Sequence, residues 1–133
     1  VIGIDYGKKR IGIAISDIDQ KIAFPLITVE NNKPIEVLKK IIESEKVASI
    51  VVGVPINLDG SNTDATEMCF KFHLRLKKEF PKINHFVEDE RLTSKLAKRF
   101  LNHSEKKKQR GNKKNVDKIS ASIILENFLI GLN

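Results

Sequence analysis

A chain of 133 residues with 41% hydrophobic content has the length of one domain and enough apolar material for a single core without disulfides or structural metal. Its 24 Lys and Arg against 17 Asp and Glu give a formal net charge of +7, which favours a polyanionic partner, nucleic acid ahead of an anionic membrane. No apolar run approaches the roughly 20 residues of a membrane-spanning helix, no segment resembles a secretory signal, and the single Cys69 permits no internal disulfide, so a soluble, cytoplasmic protein is expected.

The run Val1-Ile2-Gly3-Ile4-Asp5-Tyr6-Gly7 reads as a strand with a carboxylate set into it. A charge in an otherwise buried strand costs several kcal/mol unless a metal, a cation or hydrogen-bond donors compensate it. Lys8, Lys9 and Arg10 make a tight basic turn into a second strand ending at Ser16, so Asp5 is expected beside a cationic hairpin. A third strand around Ile22 to Val29 completes an antiparallel set. Pro34 suits the first turn of a helix whose apolar stripe is Ile35, Leu38, Ile41 and Ile42. The β-branched run from Ala48 to Val52 predicts a strand buried on both faces. A loop follows, with Pro55 and Gly60 shaping the border of a crevice. Ser61, Thr63 or Asp64 can cap the next helix, whose inward face would carry Ala65, Cys69, Phe72 and Leu76. A strand from Asn84 to Glu88, a helix from Thr93 or Ser94 to about Leu101, and a last helix from Val116 to Leu132 finish the chain.

The order β-β-β-α-β-α-β-α-α predicts an α/β fold in one domain, residues 1–133. Its mixed five-stranded sheet has three antiparallel strands and then parallel ones, with helices on both faces. Ligands in such sheets lie outside the C-terminal strand ends. Asp5 and Glu90 can reach one crevice there if their strands are parallel neighbours. Asp117 falls on the helix face of Ala121, Ile124 and Phe128. At the front of that helix it gains from the helix dipole, and capping alone could explain it.

Asp5, Glu90 and Asp117 supply only oxygen ligands, which suits Mg2+ or Mn2+ and disfavours zinc. Two such ions about 4 Å apart can activate a water and stabilise the departing oxygen in phosphodiester hydrolysis. The plainer alternative is a scatter of surface acids and caps. Asp89 competes with Glu90, because a one-residue error in the strand end turns the other carboxylate to the crevice. The segment from Glu105 to Lys114 lacks apolar periodicity and reads as a basic loop, either merely solvated or gripping phosphates. The expected nucleic-acid contacts are Lys8, Lys9, Arg10, Arg91, Lys106, Lys107, Lys108, Arg110, Lys113 and Lys114; Arg91 can instead brace the acids. Cys69 and His73 have i, i+4 spacing but no matching second pair, so a core cysteine and a surface histidine are expected. No aromatic platform for stacking single-stranded bases is evident.

Four stretches together resemble a known family: Gly3-Ile4-Asp5-Tyr6-Gly7 with Arg10-Ile11-Gly12; Val52-Gly53-Val54-Pro55 leading to Asp59-Gly60; Asp89-Glu90-Arg91-Leu92-Thr93-Ser94; and Val116-Asp117 followed by Ser120-Ala121 and Ile123-Ile124-Leu125. The chain resembles the YqgF-like (RuvX) pre-16S rRNA nucleases, relatives of the Holliday-junction resolvases. The resemblance implies a ribonuclease H-like fold and a metal-dependent nuclease acting on the 5′ end of pre-16S rRNA in ribosome biogenesis. Its acid triad maps to Asp5, Glu90 and Asp117. Where relatives often carry an alanine pair after the last acid, this chain has Ser120-Ala121-Ser122. Branched DNA is the alternative substrate, and resolving a junction would need a homodimer rather than a monomer. Two other readings stand beside it. One is an actin-like ATPase or sugar kinase, from Asp5-Tyr6-Gly7 and Gly12, which the single-domain length opposes. The other is a nucleic-acid-binding accessory module without hydrolysis.

Overall fold

A computed structural model of the chain describes residues 1–57, 59–90 and 113–132, the last with side chains from 116 onward. Five strands form one mixed sheet: β1 (Ile2–Tyr6), β2 (Arg10–Ser16), β3 (Ala23–Glu30), β4 (Ser49–Val54) and β5 (Asn84–Asp89). Their spatial order is β3-β2-β1-β4-β5. The pairs β1–β2 and β2–β3 are antiparallel, and β1–β4 and β4–β5 are parallel. The mixed five-stranded sheet is therefore as the sequence predicts. One premise is corrected: β1 and β5 run parallel but are not neighbours, because β4 lies between them.

The helices are α1 (Pro34–Glu45), α2 (Asp64–Glu79) and α3 (Lys113–Leu132). Strand alternation sends Ile2, Ile4, Ile11, Ile13, Ile50 and Val52 to one face, where they pack with Leu38 of α1 and with Cys69, Phe72 and Leu76 of α2. Tyr6 stacks on Phe72 with ring centroids 4.3 Å apart. The opposite face packs Ala14 and Val51 against Ala121, Leu125 and Leu129 of α3. β4 is buried on both faces because helices cover both.

Glycines set how closely α3 approaches. A Cβ on Gly3 would lie 2.7 Å from Leu125 Cβ, and one on Gly12 would overlap the main-chain carbonyl of Asp117. Both lie on the α3 face, so the helix rests directly on the β1–β2 ladder. That contact fixes the front half of α3 over the start of β2.

At α2 the frame differs from the sequence expectation. Ala65 is exposed and Thr66 is buried. Thr63 is the N-cap, and its hydroxyl accepts from Thr66 N at 3.1 Å while Thr63 N donates to Thr66 Oγ1 at 2.9 Å. This reciprocal box turns Thr66 inward, where its hydroxyl donates to the Pro55 carbonyl and ties the loop after β4 to the helix. Gly60, at φ +90°, closes that loop, with Asn57 N bonded to Ser61 O at 2.9 Å. The helix expected between Thr93 and Leu101 lies outside the described residues, as do Arg91, Lys106, Lys107, Lys108 and Arg110.

Candidate active site

Asp5 stands near the C-terminal end of β1, on the face that carries Gly3 and α3. Its partner in the antiparallel ladder is Gly12, whose missing side chain admits the Asp117 main chain. The geometry that lets α3 touch the sheet therefore also brings Asp117 to Asp5. The charge of Asp117 raises the proton affinity of Asp5, second only to burial, and the carboxyl is pushed up to about 7.

Glu90 reaches the same face by a different route. Its amide donates to the Val54 carbonyl at 3.1 Å, continuing the β4–β5 ladder one residue past the strand. Phe86 of β5 packs on Phe128 of α3, centroids 4.9 Å apart, so alternation puts Glu88 and Glu90 on the α3 face and Asp89 on the other. Glu90 is 7% exposed, while Asp89 is exposed. The carboxylate crosses β4 over Gly53: a Cβ there would stand 3.0 Å from Glu90 Oε2. The intervening strand is thus no barrier, because its residue at the crossing has no side chain. A glycine inside a β-branched strand was the available signal for a close approach.

Among the described residues, Glu90 Oε2 is buried and has no hydrogen-bond partner. Burial first, then the charges of Asp5 and Asp89, push this carboxyl up to about 8. Neighbouring carboxylates that cannot all ionise cheaply share protons as a unit. Cys69, on the opposite face, feels the same charges: burial, then Glu90 and Asp5, push its thiol up to about 12, which makes it an inert core thiol as expected.

Asp117 departs from its expected setting. α3 begins at Lys113, so Asp117 sits in the second turn, and the first turn holds no acid. Neither capping nor the dipole of the first turn accounts for it. Its Oδ2 instead accepts from Arg10 Nε at 2.8 Å, which spans the first residue of β2 and the helix. Lys8 and Lys9 are exposed in the hairpin turn beside Arg10. That turn is braced at Asn31, whose amide Nδ2 donates to the Gly7 carbonyl and whose main-chain N donates to the Lys9 carbonyl, each at 2.8 Å.

Among the described residues, no three His, Cys, Asp or Glu side chains already converge closely enough to hold a metal ion. Asp117 is held by Arg10, so the third acid is committed elsewhere. The chemistry of the set still fits a hard divalent cation: all its donors are oxygens, one is buried without a partner, and mutual repulsion awaits a positive charge. His73 packs edge-on against His85, with ring centroids 6.3 Å apart.

The proton sharing has a measurable consequence. Unfolded, both acids ionise near pH 4, whereas folded they hold protons until about pH 7 and about pH 8. The native state therefore binds more protons in between, and stability falls as pH rises through those values. Without metal, the melting temperature is expected to fall from pH 6.5, where His73 with its lowered pKa is already neutral, to about pH 8 and to level off beyond it. Thermal unfolding across that range in chelator checks it; a flat profile contradicts the acid cluster.

No helix among the described residues is long and apolar enough to cross a membrane. Residues 1–130 match the family model described as "RuvX: Holliday junction resolvase". The chain is 42% identical over 130 residues to a protein of Amoebophilus asiaticus, covering 97% of this chain and 92% of that one. It is 43% identical over 133 residues to a protein of Rickettsia felis, covering 97% and 84%. Both carry the name "Putative pre-16S rRNA nuclease". In fold the chain is similar to T. thermophilus RuvC in complex with a Holliday junction substrate (TM-score 0.60, 12% identity, 99% of this chain and 96% of that one). It is also similar to the Fowlpox virus resolvase in complex with Holliday junction DNA (TM-score 0.58, 9% identity, 98% and 97%).

Proposed function

The chain belongs to the RuvX family, and from that premise we propose that it is a divalent-metal-dependent nuclease hydrolysing phosphodiester bonds at the 5′ end of pre-16S rRNA. Asp5, Glu90 and Asp117 would hold Mg2+ or Mn2+. The observation that carries this reading is the Glu90 carboxylate, buried, without a hydrogen-bond partner among the described residues, and leaning over Gly53 towards Asp5 in a protein of net charge +7. A fold does not normally bury such a group unless something binds it. The names of the relatives support ribosomal RNA as substrate, and the fold shared with junction-bound resolvases supports nucleic acid generally. The kinase-like reading drew on residues 5–12 alone, whereas the family match runs through residues 1–130.

When bound, the metal supplies an acidified water and charge stabilisation at the departing oxygen, through one ion or two. The protein's own part is positioning. The β1–α3 contact fixes Asp5 against Asp117, and the ladder bond to Val54 fixes where Glu90 leaves the sheet. Lys8 and Lys9, exposed on the braced turn, offer cations to the backbone of a substrate without reading its sequence. Lys113 and Lys114, the first residues of α3, would add further cations.

The test offers purified protein a structured RNA carrying the 16S 5′ precursor and, separately, a four-way DNA junction, with Mg2+, Mn2+ or chelator. Metal-dependent cleavage of the RNA is expected. Cleavage in chelator would sink the metal role. Cutting of the junction alone, the alternative favoured by the family description, would move the substrate to branched DNA and require a dimer. Tight binding with no cleavage under any metal would leave an accessory module.

A further inference from the structure

Asp117 lies against two opposite influences. On one side stands Asp5, whose carboxyl it repels. On the other stands Arg10, whose Nε donates to Asp117 Oδ2 at 2.8 Å. Among the described residues, the ion pair that Asp117 makes is with this guanidinium. The contact is built in: Arg10 opens β2 two residues before Gly12, and Gly12 is where the α3 backbone lies on the sheet. Both side chains nevertheless stay partly accessible, 29% and 23%, so the pair can open without unfolding anything. A guanidinium keeps its proton at any ordinary pH, so what draws Arg10 from Asp117 is a competitor for one of the two partners. Two competitors have the right chemistry. A divalent cation competes with Arg10 for the carboxylate, and a phosphate competes with Asp117 for the guanidinium.

We propose that Arg10 is a latch, a positioning residue that holds Asp117 in the free protein as a stand-in for the divalent ion. It releases Asp117 to that ion when a substrate phosphate draws the guanidinium away. The inference rests on the metal-dependent reading of the site and adds its regulation. Because coupling is reciprocal, nucleic acid tightens metal binding and metal tightens nucleic-acid binding. The free protein therefore loads metal weakly, and the complete site assembles on substrate.

Manganese binding, read by the electron paramagnetic resonance of free Mn2+ with no nucleic acid present, separates the outcomes. Removing a fixed positive charge beside the site is expected to tighten Mn2+ binding about tenfold in Arg10→Gln relative to wild type. In RNA cleavage the same variant should show a raised KM with a smaller change in kcat. Wild-type binding that Arg10→Gln leaves equal or weaker overturns the latch while sparing the metal site. Absence of Mn2+ binding in both proteins overturns the latch and the metal reading together. A second measurement uses the wild type alone and does not depend on a variant folding. The Arg10 Nε–H resonance should move towards the free-arginine position as Mg2+ is added, with the midpoint of Mg2+ binding. A resonance that stays fixed at saturating Mg2+ overturns the proposal.

Discussion

Asp5→Asn is expected to abolish most cleavage and to make the protein more stable, the stability gain being small at pH 5 and larger at pH 8. Losing one oxygen ligand of the proposed site removes several kcal/mol of charge stabilisation; about 4 kcal/mol corresponds to about 1,000-fold in rate. Stability moves the other way. With its carboxyl pushed up to about 7 by burial and by Asp117, Asp5 is charged at pH 8 in a place that resists charge. Asparagine has the same shape and no charge, and it also relieves Glu90, which feels Asp5. At pH 5 the native aspartate is already protonated, so substitution there changes little. Allowing for the solvent that reaches Asp5, a gain of about 1–2 kcal/mol at pH 8, or about 5 °C, is expected. Metal-free melting curves at both pH values, beside a single-turnover cleavage assay at pH 8, check the pair of effects. Lost activity with equal destabilisation at both pH values would mean that Asp5 serves the fold and not a metal.

The opposite signs are what a functional site produces and a structural one does not. An acid kept for folding would be paired, as Asp17 is by the amides of Lys21 and Ile22 at 2.7 and 2.8 Å, which hold its carboxyl below the usual range. Asp5 and Glu90 are shifted upward instead. The free protein bears that cost for something it has yet to bind.

Much of this was legible in the chain. The three antiparallel strands and the two later ones follow from β-branched runs punctuated by glycine, and Asp5 stood out because a charge breaks such a run. Less legible was whatever depends on how elements meet. The insertion of β4 between β1 and β5 is a choice of crossover, which no local pattern records. Thr66 faces inward because a capping box turns it there, and an apolar stripe counted on hydrophobic residues alone passes over it in favour of Ala65. The start of α3 was hidden by Lys113 and Lys114, whose charge masks a helical turn and makes Asp117 look like a cap. Its true partner, Arg10, is 107 residues away. The expected basic contacts Arg91, Lys106, Lys107, Lys108 and Arg110 lie outside the described residues, so they remain expectations.

Gly12→Ala should unfold or severely loosen the protein, although it adds one methyl group. The new carbon would overlap the carbonyl of Asp117 and stand 2.9 Å from Lys118 N. Both are main-chain atoms in the second turn of a helix, so neither can turn aside as a side chain would. Relief requires lifting the front of α3 off β2, which also pulls Asp117 from Arg10 and from Asp5. Overpacking a core costs about 1–3 kcal/mol when side chains can yield. Against helix backbone the upper end or beyond is expected, with cleavage lost even in the folded fraction. Two companions show that position decides and not glycine chemistry. Gly53→Ala meets the flexible end of Ile124 and Glu90 Oε2 at 3.0 Å, so it should cost less stability while still displacing the Glu90 carboxylate and lowering activity. Gly131→Ala, in α3 with open space around it, should be neutral or stabilise by up to about 1 kcal/mol through helix propensity. Urea unfolding of the three variants, with cleavage measured well below each midpoint, orders them. A Gly12→Ala protein as stable and active as Gly131→Ala would mean that α3 does not lie on β2, and the site built on that contact would fall with it.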